Sequence, residues 1–487
     1  MHSKHAHHHE HTGDGLSRLP LLIVLCIAQL MVILDISAVN VALPDMARDL
    51  GIGDSDLGWT ITSYSLIFGS LLLLGGRAAD LLGRRRVFLA GLTVFTLASL
   101  ASALAADASM LFAARAGQGL GAALLSPAAL SIITSTFQGP ERARALAVWG
   151  AVGGAGAAIG VLLGGALTEL TDWRAIFLIN LPIGLALAAS AMKIAPLDPE
   201  RPRWRGLDLR GALLATASLG GLVYAVSQAQ DAGWTSVQTL AIGGASLIGL
   251  GGFAVLELRT AQPLIRVQRL ADGAIGGGFV MMLAASAVMF GAFLLASLYL
   301  QNVLGTGALE TGLAFLPLAV AIAVGVHVAS HFIQHAGVRI PLAGGFVVTA
   351  AGMLLLAGVS ADGSYVTDIL PGMLVAGIGL GVILVSVSVA VLTGAQEEEA
   401  GMLSGLNTTG HEIGGSIGVA VLATIATGAF SGGSGPAAAA ELANGIGDAF
   451  MAAGIIAGVS SLIALAVLPS ASSFLPKLRL APRVAVH

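Results

Sequence analysis

Long apolar stretches recur along this chain of 487 residues and leave little room for a soluble domain. A helix needs about 20 largely apolar residues to cross a bilayer, and hydropathy identifies fourteen such stretches. Charged residues make up 10% of the chain, whereas a soluble protein carries about a quarter. The sequence therefore predicts an all-α integral membrane protein with spans near residues 19–41, 57–76, 86–106, 109–133, 143–167, 174–193, 208–227, 237–257, 274–300, 310–331, 340–359, 366–392, 401–428 and 447–469.

The lysines and arginines predict the orientation of these spans. If the N-terminus is cytoplasmic, about 20 of the 23 Lys and Arg residues fall on the cytoplasmic side, as the positive-inside rule requires. Arg48 and Arg174 fall outside, and Arg115 falls within the fourth span. The first apolar run follows a hydrophilic segment and has no small-residue cleavage site, so we interpret it as a retained span. We expect a multi-pass protein of the cytoplasmic (cell) membrane with both termini in the cytoplasm.

Asp35 and Arg115 are charged residues inside predicted spans, where a charge costs about 2.5–3.5 kcal/mol on insertion scales. Each lies about six residues, or roughly 9 Å, from the outer end of its span. Opposite charges at one depth offset each other's insertion cost, so we predict that these two residues pair. Two plainer alternatives are that Arg115 extends toward the membrane surface and that Asp35 serves only packing or neutralisation.

His411 and Glu412 lie near the middle of the thirteenth span, about eleven residues from its inner end. Neighbouring helical residues point about 100° apart, so only one of the two faces the interior directly. Removal from water favours the neutral form of a carboxyl group, which suits Glu412 to reversible protonation. We predict a proton or substrate role for Glu412. His411 either shares that role or acts as a neutral hydrogen-bonding residue.

A loop rich in glycine and arginine, GGRAADLLGRRRVFLAG, joins the second and third spans. Glycines permit a tight turn between closely approaching helices, while the acid accepts hydrogen bonds and the basic triplet anchors the inner face. A weaker copy, SHFIQHAGVR, follows the tenth span and aligns Gly337 with Gly83, as expected of an internal duplication. We predict a conformational role for Gly76, Asp80, Gly83, Arg84 and Arg85.

Glycines also recur every four residues along one face of the fifth and thirteenth spans. Small residues at this spacing let helices approach closely in a membrane, so we predict close helix contacts on both faces. A phosphate-binding role for these glycines is disfavoured, because no strand precedes them and the segment is predicted to lie in the membrane. The glycines concerned are Gly156, Gly160 and Gly164, with Gly165 beside them, and Gly410, Gly414 and Gly418.

These motifs resemble the signatures of the major facilitator superfamily, in its fourteen-span drug:proton antiporter branch. The resemblance covers about residues 19–469 and also rests on LDISAVNVALP, RAGQGLGAALLSPAAL and DWRAIFLINLPIG. It implies two six-helix bundles with two extra helices between them. It also places Asn40 and Gln118 with Asp35, Arg115, His411 and Glu412 in the proton-coupling or substrate site. The implied divisions are a disordered His-rich cytoplasmic tail (1–18), the N-terminal bundle (19–193), cytoplasmic linkers with the extra helices (194–273), the C-terminal bundle (274–469) and a cytoplasmic tail (470–487).

The resemblance implies a monomeric, proton-coupled antiporter that exports hydrophobic, often cationic, drugs or antibiotics by alternating access. Its partners would be the lipid bilayer, the small-molecule substrate and protons, with the proton gradient as energy source. We expect no enzymatic activity, cofactor, metal or nucleic-acid partner. Val161 stands where antiporters of this branch carry a proline, so a proton-coupled importer is a second hypothesis. A membrane sensor or assembly subunit that transports nothing is a third.

Several other features receive plainer interpretations. An apolar pocket or lipid-facing packing accounts equally well for Met281, Met282, Met289, Phe290 and Phe293. The acidic run of residues 397–399 is interpreted as a solvated turn, and the six histidines among the first eleven residues as a disordered polar tail. A second set of histidines, His327, His331 and His335, shares one helix face near cytoplasmic water, where a metal ladder is the less favoured interpretation.

Overall fold

The computed structural model describes residues 14–52, 59–137, 139–197, 208–261, 263–393, 399–428 and 435–480. The predicted tail of residues 1–18 lies mostly outside these ranges, but the first helix already begins at Asp14. The described helices are α1 (Asp14–Leu50), α2 (Trp59–Leu82), α3 (Arg84–Ala103), α4 (Ala108–Thr136), α5 (Gly139–Leu170), α6 (Ala175–Leu178), α7 (Asn180–Ile194), α8 (Leu209–Ala232), α9 (Val237–Arg259), α10 (Ile275–Leu298), α11 (Ala308–Ala314), α12 (Leu316–Ala336), α13 (Arg339–Leu356), α14 (Leu370–Leu392), α15 (Ala400–Thr427), α16 (Pro436–Val467) and α17 (Ala471–Leu480).

These helices account for all fourteen predicted spans. Eleven helical segments of the described chain are long and apolar enough to cross a membrane. The remaining three predicted spans fall in α5, α8 and α15, which are 32, 24 and 28 residues long. Two of the predicted spans are interrupted helices, since α6 and α7 together form the sixth span and α11 and α12 form the tenth.

The helices form two bundles with the same internal packing. In the N-terminal half (α1–α7), α1 packs on α5, α2 on α4 and α3 on α4. In the C-terminal half (α10–α16), α10 packs on α15, α12 on α14 and α13 on α14. Each contact in the first half therefore has a counterpart in the second, which is the pattern expected of an internal duplication.

The two halves meet through a small number of helices. Helix α2 packs against α15, and α5 packs against α11, α12 and α14. The two extra helices, α8 and α9, pack on each other, and α8 also contacts α2 and α15. The extra pair therefore lies against the seam between the halves.

The duplicated loops contain equivalent glycine turns. Gly83 separates α2 from α3 with a φ of 109°, and Gly337 separates α12 from α13 with a φ of 67°. Residues that carry a side chain rarely adopt such positive φ angles, so glycine is required at both turns. The alignment of Gly83 with Gly337 therefore holds in the backbone, although most of the other motif residues differ between the copies.

The glycine faces of α5 and α15 bring two helix pairs into close contact. A side-chain carbon at Gly164 would lie 2.6 Å from the Cα of Ala38 in α1. At Gly418 it would lie 2.3 Å from the Cα of Ala287 in α10. Gly156 and Gly160 also lie against α1, and Gly410 and Gly414 against α10, where an added side-chain carbon would come within 1.8 to 3.0 Å of the neighbouring helix. The predicted close helix contacts are confirmed.

A leucine at Gly164 is expected to separate α1 from α5. Relief of the clash with Ala38 requires a backbone shift, and overpacking of this kind costs about 1–3 kcal/mol or more. We expect Gly164→Leu to lower the thermal unfolding midpoint and the yield of monodisperse protein. Gly153→Leu in the same helix is the control, since a side-chain carbon there meets no atom within 4 Å. Equal stability of the two variants would contradict this account.

Candidate functional site

Asp35 and Arg115 form a buried ion pair between α1 and α4. Their side chains are 0% and 1% exposed, so neither reaches the membrane surface. The alternative in which Arg115 extends toward that surface is therefore wrong, and the predicted pairing is present.

A shell of polar groups completes the pair. The carboxylate of Asp35 also accepts hydrogen bonds from the side-chain amides of Gln118 (2.8 Å) and Asn180 (3.2 Å). The amide oxygen of Gln118 accepts from Arg115 at 2.8 Å, and both amides donate to the hydroxyl of Ser99. Buried charges are tolerated when their hydrogen-bonding groups are satisfied in this way. We call Asp35, Ser99, Arg115, Gln118 and Asn180 the polar cluster.

Residues from α2 hold the guanidinium in place. Arg115 donates from Nε to the backbone oxygen of Thr60 at 3.1 Å, and its guanidinium carbon lies 4.5 Å from the centre of the Tyr64 ring. A cation over an aromatic face is stabilised by the ring's negative potential. The Tyr64 hydroxyl is buried and forms no hydrogen bond with the described residues.

Several members of this arrangement were not among the predicted site residues. Asn180 lies in the DWRAIFLINLPIG segment, so the motif contained it without indicating its role. Ser99, Thr60 and Tyr64 carry no distinguishing sequence signal. Of the predicted residues, Gln118 joins the cluster, whereas the side chain of Asn40 lies outside the described part of the chain.

His411 and Glu412 point in different directions from α15. The Nδ1 of His411 lies 2.7 Å from the Ser286 hydroxyl on α10, and its ring lies 5.1 Å from the ring of Phe290. These contacts agree with the alternative prediction for His411, which is that it acts as a hydrogen-bonding residue. Glu412 is partly exposed, and its carboxylate forms no hydrogen bond or ion pair with other described residues. The two residues therefore face different surroundings, as the helical spacing predicts.

The loop between α2 and α3, which is rich in glycine and arginine, contacts the C-terminal half at one end of the bundle. This end carries most of the arginines, and we call it the arginine-rich end. Asp80 accepts a hydrogen bond from the backbone nitrogen of Met402 at 2.9 Å, in the first turn of α15. It also lies 3.9 Å from Arg84. Arg142 of α5 donates to the backbone oxygen of Leu392 at 2.5 Å. Both sets of contacts hold the halves together at this end.

Glu399 corrects the interpretation of the acidic run as solvated. It is 4% exposed and forms ion pairs with Arg266 at 2.9 Å and Arg269 at 2.5 Å. Its hydrogen bond raises the pKa of Arg269 above the ordinary arginine value. Residues 397 and 398 lie outside the described ranges. The loop that precedes α10 therefore binds the start of α15, a contact between residues more than a hundred positions apart.

An apolar cavity lies inside the C-terminal half, away from the arginine-rich end. Of the predicted Met and Phe positions, Met289, Phe290 and Phe293 line it, whereas Met281 and Met282 are buried elsewhere in α10. The remaining lining residues are Gly153, Ala292, Ala296, Phe315, Leu318, Ile322, Met353, Leu356, Met373, Ala376 and Leu380.

In the described part of the chain, the histidines of α12 are not grouped as a metal site. The ring of His331 lies 5.5 Å from that of His335 and edge-on to Phe332. Across the described ranges, no three His, Cys, Asp or Glu side chains are grouped to hold a metal ion.

The arrangement combines three separate chemical environments within the membrane: a fully hydrogen-bonded ion pair, a partly exposed carboxylate and an apolar cavity. A proton that arrives at Asp35 would weaken its attraction to Arg115. The two carboxyl groups therefore lie in different surroundings, apart from the apolar cavity.

Comparison with known proteins identifies relatives of the whole chain. The sequence profile of the Major Facilitator Superfamily matches residues 25–419. The chain is 40% identical to a puromycin resistance protein of Streptomyces alboniger, over 92% of this chain and 88% of that one. It is also 40% identical to a cephamycin export protein of Amycolatopsis lactamdurans, over 92% of this chain and 91% of that one.

Solved structures share the fold at low sequence identity. The human organic anion transporter MFSD10 superposes with a TM-score of 0.65 and 16% identity, over 92% of this chain and 99% of that one. The proton:xylose symporter XylE also gives a TM-score of 0.65, with 13% identity, over 96% of this chain and 100% of that one.

Proposed function

We propose that this chain, which belongs to the Major Facilitator Superfamily, is a proton-coupled antiporter that exports hydrophobic, often cationic, drugs or antibiotics. The observation that carries the proposal is 40% identity, over 92% of the chain, to one protein named for antibiotic export and another named for antibiotic resistance. Further relatives are named for resistance to lincomycin and for tetracenomycin C resistance and export. The transporters of this superfamily are generally not enzymes, and we expect no cofactor here.

Proton coupling is supported by two carboxylates in different surroundings. Asp35 lies in the polar cluster of the N-terminal half, and Glu412 lies on α15, a helix that packs against α2 of that half. Protonation of Asp35 would weaken its attraction to Arg115, whose guanidinium also lies over the Tyr64 ring of α2, a helix that packs against α15. We propose that Asp35 and Glu412 are each protonated and deprotonated during the transport cycle.

Alternating access would result from rocking of the two halves, here taken as residues 19–193 and 274–469. Opening at the arginine-rich end would require loss of the Asp80 contact with Met402 and of the Arg142 contact with Leu392. We propose that this end faces the cytoplasm, with both termini on that side, because the positive-inside rule favours it. The present arrangement would then be closed toward the cytoplasm.

A proton flux assay in inside-out membrane vesicles tests the proposal. Respiration acidifies the vesicle interior, and a quenched pH-sensitive dye reports the gradient. We expect addition of puromycin, cephamycin, lincomycin or tetracenomycin C to restore dye fluorescence in vesicles that contain the protein, because antiport releases protons. Vesicles from cells that lack the protein are the control.

Vesicle experiments also distinguish export from the importer hypothesis and from the hypothesis of a subunit that transports nothing. An importer that moves substrate with protons would accumulate substrate in right-side-out vesicles and would export none. A sensor or assembly subunit would leave both the gradient and the substrate distribution unchanged with every compound. Either result would overturn the proposed export.

A further inference from the structure

The polar cluster is not accessible to a substrate in this arrangement of the helices. Asp35 and Arg115 are 0% and 1% exposed, and the carboxylate is already bound by three donors. A substrate cation would have to displace Arg115 to reach Asp35. The polar cluster is therefore closed to the substrate in this arrangement.

The apolar cavity, in contrast, has no charged residue in its lining. It lies between α10, α12, α13 and α14 of the C-terminal half, and only Gly153 of α5 represents the other half in its lining. Its lining includes three methionines and three phenylalanines, and every lining side chain is apolar. Methionine side chains adapt to irregular ligands, and phenylalanine rings offer flat surfaces for stacking.

An aromatic surface is already organised in this cavity. Phe293 of α10 and Phe315, which joins α11 to α12, are stacked with their ring centres 4.2 Å apart and their planes 25° apart. Phe290 occupies the side of the cavity toward α15, where the absence of a side chain at Gly415 leaves it space. Phe290 also contacts His411 and so separates that polar side chain from the cavity.

Gly153 leaves the boundary with the N-terminal half open. A side-chain carbon at Gly153 would meet no atom within 4 Å, unlike those at the glycines that face α1. The cavity therefore has unfilled space where it borders the N-terminal half.

We propose that this cavity binds the uncharged, apolar ring portion of the exported compound, while any charged portion remains outside it. The proposal deepens the proposed export function by assigning recognition to a cavity within the C-terminal half. A charged group without a counterion would lose its hydration in an entirely apolar cavity, which is strongly unfavourable. Stacking and apolar burial recognise neutral rings without requiring a particular hydrogen-bonding pattern, so recognition at this site would depend on apolar shape.

Cysteine labelling of the purified full-length protein tests the proposal without requiring transport. The chain contains one cysteine, Cys26, so a Cys26→Ser background carries a single introduced thiol. We expect Met373→Cys in the cavity to react with neutral methyl methanethiosulfonate and to react at least tenfold more slowly with cationic 2-aminoethyl methanethiosulfonate. Leu342→Cys, at a fully buried position outside the cavity lining, should react with neither.

Protection by a neutral ring compound provides the second measurement. Biphenyl is expected to slow the reaction of Met373→Cys with the neutral reagent. Adding Gly153→Leu should raise the biphenyl concentration needed for half-protection about tenfold, since the leucine fills the open boundary. Gly244→Leu is the matched control, because Gly244 also has no atom within 4 Å but lies in α9, away from the cavity.

Each outcome supports or overturns the assignment. Equal labelling of Met373→Cys by the neutral and cationic reagents, or failure of biphenyl to protect, would overturn it. Protection unaffected by Gly153→Leu would also overturn it. The labelling pattern together with a failed vesicle assay would retain the cavity as a ligand site and reject export, whereas the opposite combination would retain export and reject the cavity.

Discussion

Neutralising both members of the buried ion pair, in Asp35→Asn/Arg115→Gln, is expected to preserve folding and to abolish proton-coupled transport. The double variant keeps polar side chains within the cluster and leaves no buried charge without a partner. It also removes the Asp35 carboxyl group, whose protonation would change the charge of the pair. The measurement is the substrate-induced proton release in vesicles, together with the amount of monodisperse protein.

The single variants are expected to behave differently. Arg115→Gln leaves the Asp35 carboxylate buried with only the amides of Gln118 and Asn180 as donors, and removal of one partner of a buried pair costs about 3–5 kcal/mol. Asp35→Asn leaves the guanidinium without its counterion. We therefore expect both single variants to unfold at lower temperatures than the double variant.

An exposed ion pair in the same half supplies the matched control. Arg174 pairs with Asp49 at 2.5 Å, at the end opposite the arginine-rich end, and hydrogen bonds from Arg174 and Trp173 lower the pKa of Asp49. Solvent screens such pairs strongly, so Asp49→Asn/Arg174→Gln should change stability little and preserve transport. If Asp35→Asn/Arg115→Gln also transported normally, Asp35 would serve only to neutralise Arg115.

Glu412→Gln is expected to uncouple substrate movement from the proton gradient while the protein remains folded. Glutamine resembles the protonated side chain in shape, and the wild-type carboxylate has no hydrogen-bond or ion-pair partner among the described residues. The variant should therefore exchange substrate between vesicle compartments down its gradient without accumulating it or releasing protons. Exchange of labelled substrate and dye fluorescence measure the two processes separately.

The neighbouring histidine provides the control for Glu412. His411 faces Ser286 and Phe290, and a glutamine at this position keeps a group able to hydrogen-bond the Ser286 hydroxyl. We expect His411→Gln to retain proton coupling. Full accumulation of substrate by Glu412→Gln would remove Glu412 from the proton pathway, and loss of coupling in His411→Gln would transfer that role to its neighbour.

Local sequence patterns were sufficient for the secondary structure and for much of the conformational machinery. Hydropathy depends on consecutive residues, so it located each span within a helix, although α16 begins eleven residues before the predicted start of its span at residue 447. The positive-φ glycines at the two duplicated turns and the glycine faces of α5 and α15 follow from spacing in the same way. Local patterns did not predict the ion pairs of Glu399, because its arginine partners lie 133 and 130 residues away.

The sequence by itself determined that this protein spans a membrane, contains two related halves and places Asp35 at the depth of Arg115. These properties follow from the high cost of exposing polar groups to lipid and from the periodicity of helices. Only the tertiary structure decided that Asn180, 145 residues from Asp35, completes the polar cluster. It alone also decided that the apolar cavity lies within the C-terminal half. The physical reason is that packing between helices brings together residues whose separation along the chain carries no information about their contact.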